Sequence, residues 1–134
     1  MRLSGACGIG IDILGLARFS DFLVRNEEQL TEIFTQGELL AADDDGRREL
    51  YLATRWALKE AVLKALGTGW GRHVEWTDVE AVGDAFGPRI VLHGAAEKAA
   101  ARSGTPRAVG SASASGGTII AMAVLAPAGQ PDNP

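Results

Sequence analysis

A run of good helix formers between residues 47 and 67 constrains the fold more than any other stretch of this chain. Apolar side chains recur along it at helical spacing, at Ala57, Leu58, Ala61, Val62, Ala65 and Leu66. Gly67 follows, and glycine is well suited to the left-handed position just beyond a helix. The run therefore predicts a long helix that ends at Gly67 and buries one wide face, against which the rest of the chain packs.

A second row of side chains lies on the same predicted helix, beside the apolar stripe. Trp56, Glu60 and Lys64 are spaced four residues apart, so a carboxylate and an ammonium group project from one side, one turn apart. Spacing alone favours an ordinary exposed Glu–Lys pair. A functional interpretation depends on a third charged residue, Asp12, which lies far upstream.

Asp12 interrupts a short apolar, β-branched run that predicts a strand over residues 7–14. Gly8 and Gly10 in this run would let another backbone or a ligand approach closely. A buried carboxylate at position 12 must be hydrogen-bonded, paired or bound to a metal. The alternative is that Asp12 caps the turn or helix that follows.

Shorter elements are predicted on both sides of the long helix: helices at residues 16–23, 26–34 and 94–102, and strands at residues 74–82, 89–92, 109–115 and 118–125. Asn26 is expected to cap the second of these helices, and Thr35 with Glu38 matches a capping box. Residues 43–46 predict a polar turn, and the glycine pair at 116–117 predicts a hairpin turn.

Length and composition predict one globular domain, which we place at residues 1–125; residues 126–134 predict a flexible tail. A net charge of −4 gives no reason to expect nucleic acid or a membrane surface as a partner. No apolar run approaches membrane-spanning length, and the first residues lack a basic-then-apolar leader, so we expect a cytoplasmic protein. Cys7 is the single cysteine, and we expect it to be a buried free thiol.

Five segments, in order, resemble the holo-acyl-carrier-protein synthases, the short single-lobe 4′-phosphopantetheinyl transferases. They are residues 8–13 (GIGIDI), 34–38 (FTQGE), 55–69 (RWALKEAVLKALGTG), 78–80 (DVE) and 87–88 (GP). The third segment is the most specific of the five, because it combines arginine, lysine, glutamate and glycine positions in one helix. The similarity extends over nearly the whole chain.

This resemblance implies an α+β fold in which an antiparallel sheet packs on the long helix, assembled as a homotrimer with active sites between subunits. It also implies transfer of the 4′-phosphopantetheine arm of coenzyme A to a serine of an acyl carrier protein, with release of adenosine 3′,5′-bisphosphate. Asp12 and Glu60 match the Mg²⁺ ligands of the family. Lys64 matches the lysine beside the pyrophosphate, and Glu60 is the expected base for the serine proton.

Other positions match the parts of the family that bind coenzyme A and the carrier protein. The resemblance assigns coenzyme A contacts to Arg55, Lys64, Gly67, Gly69 and Gly71, and it leaves Ser111 and Ser113 as possible phosphate donors. Arg18 matches a basic residue that docks the acidic carrier, and Arg25 extends that basic patch.

The residue types fit this chemistry independently. Attack at a phosphoanhydride phosphorus requires positioning and neutralisation of spread negative charge. Mg²⁺ takes hard oxygen ligands, commonly one or two carboxylates together with waters and substrate phosphates. Asp12 and Glu60, from a strand and a helix, meet that demand, and Lys64 can hold a phosphate oxygen as a point charge.

The sequence departs from the family at the terminal hairpin, where residues 111–114 read SASA and Ala114 stands at the position of the family's histidine. Losing one charge-assisted phosphate contact costs on the order of 1.5–3 kcal/mol. Three functions therefore stay open. The first is a working transferase with a modified coenzyme A pocket. The second is a protein that binds carrier or coenzyme A without transfer, and the third is a fold recruited for other chemistry.

Overall fold

Residues 8–67 and 73–129 are described by a computed structural model of the chain. Their architecture is α+β, with one five-stranded sheet in the order β1-β5-β4-β3-β2. Every strand pair in it is antiparallel. The strands are β1 (Gly8–Gly15), β2 (Val79–Val82), β3 (Arg89–Leu92), β4 (Arg107–Ser115) and β5 (Thr118–Ala126).

Five α-helices accompany the sheet: α1 (Leu16–Arg25), α2 (Leu30–Ile33), α3 (Gln36–Asp45), α4 (Arg48–Leu66) and α5 (Gly94–Arg102). The long helix predicted from the sequence is α4, and it ends as expected, with Gly67 at φ 70° in the left-handed region. The capping box at the start of α3 is also confirmed, because Thr35 Oγ1 accepts from the Glu38 N–H while the Glu38 side chain accepts from the Thr35 N–H. No helix in the described ranges is long and apolar enough to cross a membrane.

Helix α4 fills the centre of the fold and carries buried residues on most of its circumference, among them Leu52, Leu58, Ala61 and Val62. Strand β1 lies directly on it. A Cβ at Gly10 would collide with the carbonyl oxygen of Ala61, so only glycine permits this approach. The close contact expected at Gly10 is therefore a contact with another backbone, and it brings the end of β1 beside α4.

The terminal hairpin forms as predicted. Gly116 and Gly117 have φ angles of 57° and 77°, which two-residue hairpin turns of this kind require. Strand β5 pairs with β4 on one side and with β1 on the other, so that Asp12 stands opposite Ala121. Helix α1 begins where β1 ends, and the Leu16 N–H donates to the Gly117 carbonyl at 2.8 Å.

Three local predictions are wrong. The strand expected over residues 74–82 is confined to Val79–Val82, because residues 76–78 form a 3₁₀ turn instead. Residues 43–45 belong to the last turn of α3, and only Gly46 leaves it, in the left-handed region. Asn26 does not cap the next helix, since its side chain donates back to the Phe22 carbonyl at 2.8 Å and closes α1.

A buried ion pair joins α3 and α4 in the interior. Lys59 Nζ lies 2.7 Å from Glu38 Oε1, and neither side chain is more than 1% exposed. The same ammonium donates to the Val79 carbonyl and, at 3.2 Å, to the Trp76 carbonyl. Glu38 also accepts from the Ala81 N–H at 3.1 Å. The pair therefore fixes α3, α4 and β2 together.

The sheet face opposite α4 carries exposed apolar side chains. Alternate residues along the strands place large apolar side chains on this face. Six of them are between 48% and 67% exposed: Ile9, Ile11, Ile13, Val109, Ile120 and Met122. Exposed apolar side chains that are grouped on one face commonly mark an interaction surface. We call these six residues the outer face.

Candidate active site

Asp12 and Lys64 meet where β1 crosses α4. Lys64 Nζ lies 2.9 Å from Asp12 Oδ1 and donates to the Ile11 carbonyl at 3.0 Å. The Asp12 side chain is 14% exposed, while that of Lys64 is 51% exposed. The carboxylate is thus largely sheltered, and the ammonium that neutralises it remains accessible from solvent.

Glu60 lies one helical turn before Lys64 and shares this site. Its pKa is raised above the ordinary value, first because burial penalises the charged form and second because the negative charge of Asp12 is close. The Lys64 ammonium acts in the opposite direction. The two carboxylates and the lysine predicted from the sequence are therefore gathered in one place.

The donor set suits a hard divalent cation. Two carboxylates share the site, and the repulsion that raises the pKa of Glu60 is the repulsion that a cation would relieve. Within the described residues, no group of three or more His, Cys, Asp and Glu side chains could hold a metal. A site with two carboxylates leaves coordination positions for waters and substrate oxygens, as Mg²⁺ prefers.

The titration of Glu60 gives the first testable prediction. In an NMR titration of side-chain carboxyl carbons, we expect Glu60 to titrate above the ordinary range for glutamate. Asp12→Asn should lower this pKa by removing the neighbouring negative charge, and Lys64→Met should raise it by removing the compensating positive charge. Equal Glu60 pKa values in all three proteins would contradict the clustering of these groups.

An aromatic cluster adjoins the three charged residues. A cleft of about 350 Å³ runs from Asp12 to Trp56, and its wall includes Arg18 and Phe22. Trp56 lies one turn before Glu60 on α4; its ring centroid is 5.2 Å from that of Phe22 and 4.7 Å from that of Trp76, with which it stacks. The site is therefore the charged end of a longer apolar depression.

Arg55, the predicted contact for coenzyme A, lies in the interior of the protein. Its side chain is fully buried, and its guanidinium donates to the Gly83, Asp84 and Ala85 carbonyls and to the Tyr51 hydroxyl. These bonds engage both terminal nitrogens of the guanidinium, and they hold the loop at 83–85 against α4. In this conformation a ligand could reach Arg55 only if that loop moved.

Ser111 and Ser113 are not brought to Asp12 within one chain. Ser111 and Ser113 are exposed on β4, opposite Met122 and Ile120, and so lie on the outer-face side of the sheet. Asp12 is on the side of α4, since Gly10, two residues earlier in the strand, contacts that helix. Of the glycine positions, Gly67 ends α4, whereas 69 and 71 lie outside the described residues.

The predicted docking residues, Arg18 and Arg25, are both exposed on α1. They line a cleft of about 280 Å³ together with Asp21, Phe22 and Asn26. The sequence interpretation missed the buried pair of Lys59 and Glu38. A signal for it exists, because Lys59 follows Arg55 by one helical turn and is flanked by apolar positions of the stripe.

Comparison with known proteins is consistent with this fold. The profile of the 4′-phosphopantetheinyl transferase superfamily matches residues 8–115. A holo-(acyl-carrier-protein) synthase of Geobacter sp. strain M21 is 37% identical over 120 residues, which cover 88% of this chain and 96% of the relative. The chain therefore belongs to the 4′-phosphopantetheinyl transferase superfamily.

Solved structures of holo-(acyl-carrier-protein) synthases have the same fold. The crystal structure of the holo-(acyl-carrier-protein) synthase from Neisseria meningitidis superposes with a TM-score of 0.78 at 32% identity, covering 90% of this chain and 98% of that chain. A holo-(acyl-carrier-protein) synthase from Bacillus anthracis, in complex with coenzyme A (3′,5′-ADP), gives a TM-score of 0.73 at 28% identity, covering 93% of this chain and all of the other.

Proposed function

We propose that this chain is a holo-acyl-carrier-protein synthase that transfers the 4′-phosphopantetheine arm of coenzyme A to a serine of an acyl carrier protein. The observation that supports this most strongly is the meeting of Asp12, Glu60 and Lys64 at the crossing of β1 and α4. The relatives named above are holo-(acyl-carrier-protein) synthases, and one of them is a coenzyme A complex.

Mg²⁺ is the metal that we propose for this site, held by Asp12 and Glu60. When bound, it would neutralise charge on the pyrophosphate of coenzyme A during transfer. Lys64 is half exposed beside these carboxylates, so its ammonium can turn from Asp12 to a phosphate oxygen. Together these residues orient the phosphate and offset its charge.

Glu60 is the group that we propose takes the proton from the serine hydroxyl. The Glu60 carboxylate lies beside Asp12 and Lys64, where it can accept that proton directly or through a bound water. The serine oxygen forms a bond to the β-phosphorus of coenzyme A. The bond from that phosphorus to the bridging oxygen breaks, and adenosine 3′,5′-bisphosphate leaves.

The direct test is incubation with coenzyme A, Mg²⁺ and a panel of apo carrier proteins, followed by mass spectrometry. A gain of one phosphopantetheine mass on a carrier serine is the expected result. Binding of carrier or coenzyme A without that mass gain would identify a binding protein instead. Absence of both binding and transfer, with folded protein, would favour a fold recruited for other chemistry.

Ala114 provides a second prediction for the proposed pocket. Its side chain is exposed near the end of β4 and offers no donor to a phosphate. We expect Ala114→His to tighten coenzyme A binding by roughly tenfold, because one charge-assisted hydrogen bond is worth on the order of 1.5–3 kcal/mol. Isothermal titration at slightly acidic pH would measure it, with Ala114→Gln as an uncharged control. No change in affinity would show that another group already serves this phosphate.

We further propose that the chain assembles as a homotrimer through the outer face. Burial of six half-exposed apolar side chains would supply the driving force. Such assembly is also consistent with a site completed by a neighbour, because Ser111 and Ser113 project on the side opposite Asp12.

The oligomeric state gives a third prediction. Light scattering on the eluted protein should report three times the 14.0 kDa mass of one chain. Met122→Lys, at the centre of the outer face, should yield monomers, since a charge cannot be buried unpaired there. Leu40→Lys is the matched control, because Leu40 is 59% exposed on α3, away from this face. A wild-type monomer would overturn the proposed assembly.

A further inference from the structure

A continuous groove extends from the candidate active site along α1. The cleft that begins at Asp12 shares Phe22 and Trp56 with a second cleft of about 460 Å³, which continues to Trp76. The cleft between Arg18 and Arg25 also shares Phe22. The three clefts together are called the α1 groove. The groove opens on the proposed active site, so a protein that lies along it can present a serine there.

The floor of the α1 groove is aromatic. The rings of Phe22, Trp56 and Trp76 follow one another with centroid separations of 5.2 Å and 4.7 Å. Aromatic side chains provide much of the binding energy at protein interfaces when they are covered. This aromatic floor can bind an apolar side chain of a partner protein. It does not by itself distinguish one partner from another.

The charges along the rim are separated by sign. Arg18 and Arg25 flank the part of the groove nearest α1, with Asp21 between them in sequence. Glu32 and Glu75 line the far part, beyond Trp56. Neither arginine, and neither of these glutamates, has an ion-pair partner within the described part of the chain. Apart from Asp12, which is paired with Lys64, the described residues of the rim comprise two cations and three carboxylates.

This mixture of positive and negative charge on the rim does not complement a uniformly acidic partner. An acidic surface would gain from Arg18 and Arg25, but it would be repelled by Glu32 and Glu75 at the far end. Juxtaposition of like charges disfavours a partner even where the apolar contact is good. The groove instead complements a surface whose charge changes sign along its length.

We propose, on the basis of the proposed function, that the carrier protein modified by this chain has a bipolar surface, one whose charge changes sign along its length. Acidic side chains close to its serine face Arg18 and Arg25, and a lysine or arginine further along faces Glu32 and Glu75. The far, acidic end of the α1 groove then selects this carrier over carriers that are acidic throughout.

The test compares two apo carrier proteins that are both acidic close to the serine. One stays acidic further along this surface, and the other has a lysine or arginine further along. Binding is measured first, by titration without coenzyme A, and transfer is then measured by mass spectrometry. Wild-type protein should bind the bipolar carrier several-fold more tightly than the acidic one. Glu32→Lys should reverse that order, with a change of about fivefold for each carrier, and high salt should reduce both effects.

Glu97→Lys on α5 is the matched control, because it makes the same charge change at an exposed glutamate that lines none of these clefts. It should leave the preference unchanged. Equal effects of Glu32→Lys on both carriers, or no effect, would overturn the inference, as would failure of both carriers to bind. Binding with the expected preference but no transfer would instead refute the proposed activity, so the two failures are distinguishable.

Discussion

Glu60→Gln should lower the rate of phosphopantetheine transfer by roughly 10²–10⁴-fold, the range typical for loss of a general base. Glutamine keeps the size of the side chain, but it accepts no proton and binds a hard cation more weakly than a carboxylate. Because Glu60 is only partly buried and its charged form is disfavoured there, the substitution should leave the fold intact or slightly more stable.

Transfer would be followed as the appearance of holo carrier protein, at saturating coenzyme A and Mg²⁺. Glu97→Gln on α5 serves as the control for removal of one negative charge, and it should retain full activity. If Glu60→Gln still transferred within a few-fold of the wild-type rate, Glu60 would be neither the base nor a required metal ligand.

The largest effect on stability is expected from Lys59→Met. This change removes the ammonium that lies 2.7 Å from Glu38 and leaves a fully buried carboxylate without its counter-ion. Breaking a buried ion pair by removing one partner typically costs about 3–5 kcal/mol. Two backbone carbonyls, of Val79 and Trp76, lose their donor as well. Urea denaturation should therefore show a much lower free energy of unfolding.

A double substitution separates the ion pair from packing. Lys59→Met combined with Glu38→Gln removes the unpaired charge while keeping an acceptor for the Ala81 N–H, so it should recover part of the lost stability. Lys98→Met, at an exposed position on α5, is the control and should change stability by less than about 0.5 kcal/mol. A loss for Lys59→Met no greater than this control would mean that the buried pair is energetically neutral.

Much of the fold could be predicted from local pattern. The long helix and the terminal hairpin each combine a strong periodicity with glycine where backbone geometry demands it, at Gly67 and at the 116–117 turn. The close approach at Gly10 was also predictable, although the sequence did not show whether a backbone or a ligand would occupy the space. At these glycines, the backbone geometry that the local sequence favours is also the geometry that the tertiary packing requires.

A strand prediction failed where side-chain packing overrides an alternating pattern of apolar and polar residues. Residues 74–77 alternate apolar and polar side chains, yet Trp76 stacks on Trp56 and Asp78 accepts from the Glu75 N–H, which together favour a tight turn. Arg55 illustrates a different limit. Its spacing on α4 could not show that carbonyls from the loop at 83–85 surround it, because those contacts join residues far apart in sequence.

The candidate site was predicted only in part, for a physical reason. Asp12, Glu60 and Lys64 are held by the crossing of one strand and one helix, which a single chain determines completely. Ser111 and Ser113 lie on the other side of the sheet, so they could join this site only through a second copy of the chain. Similarity to the family could suggest that these serines and Asp12 serve one site, but the spacing of residues along one chain could not.

Binding of Mn²⁺ in place of Mg²⁺, followed by electron paramagnetic resonance in the presence of coenzyme A, tests the central claim most directly. The claim is that Asp12 and Glu60 together hold a divalent ion against the pyrophosphate. We predict one Mn²⁺ per chain for the wild type, affinity at least about tenfold weaker for Asp12→Asn and for Glu60→Gln, and no change for Glu97→Gln. Wild-type affinity in both site variants would contradict the proposed metal site.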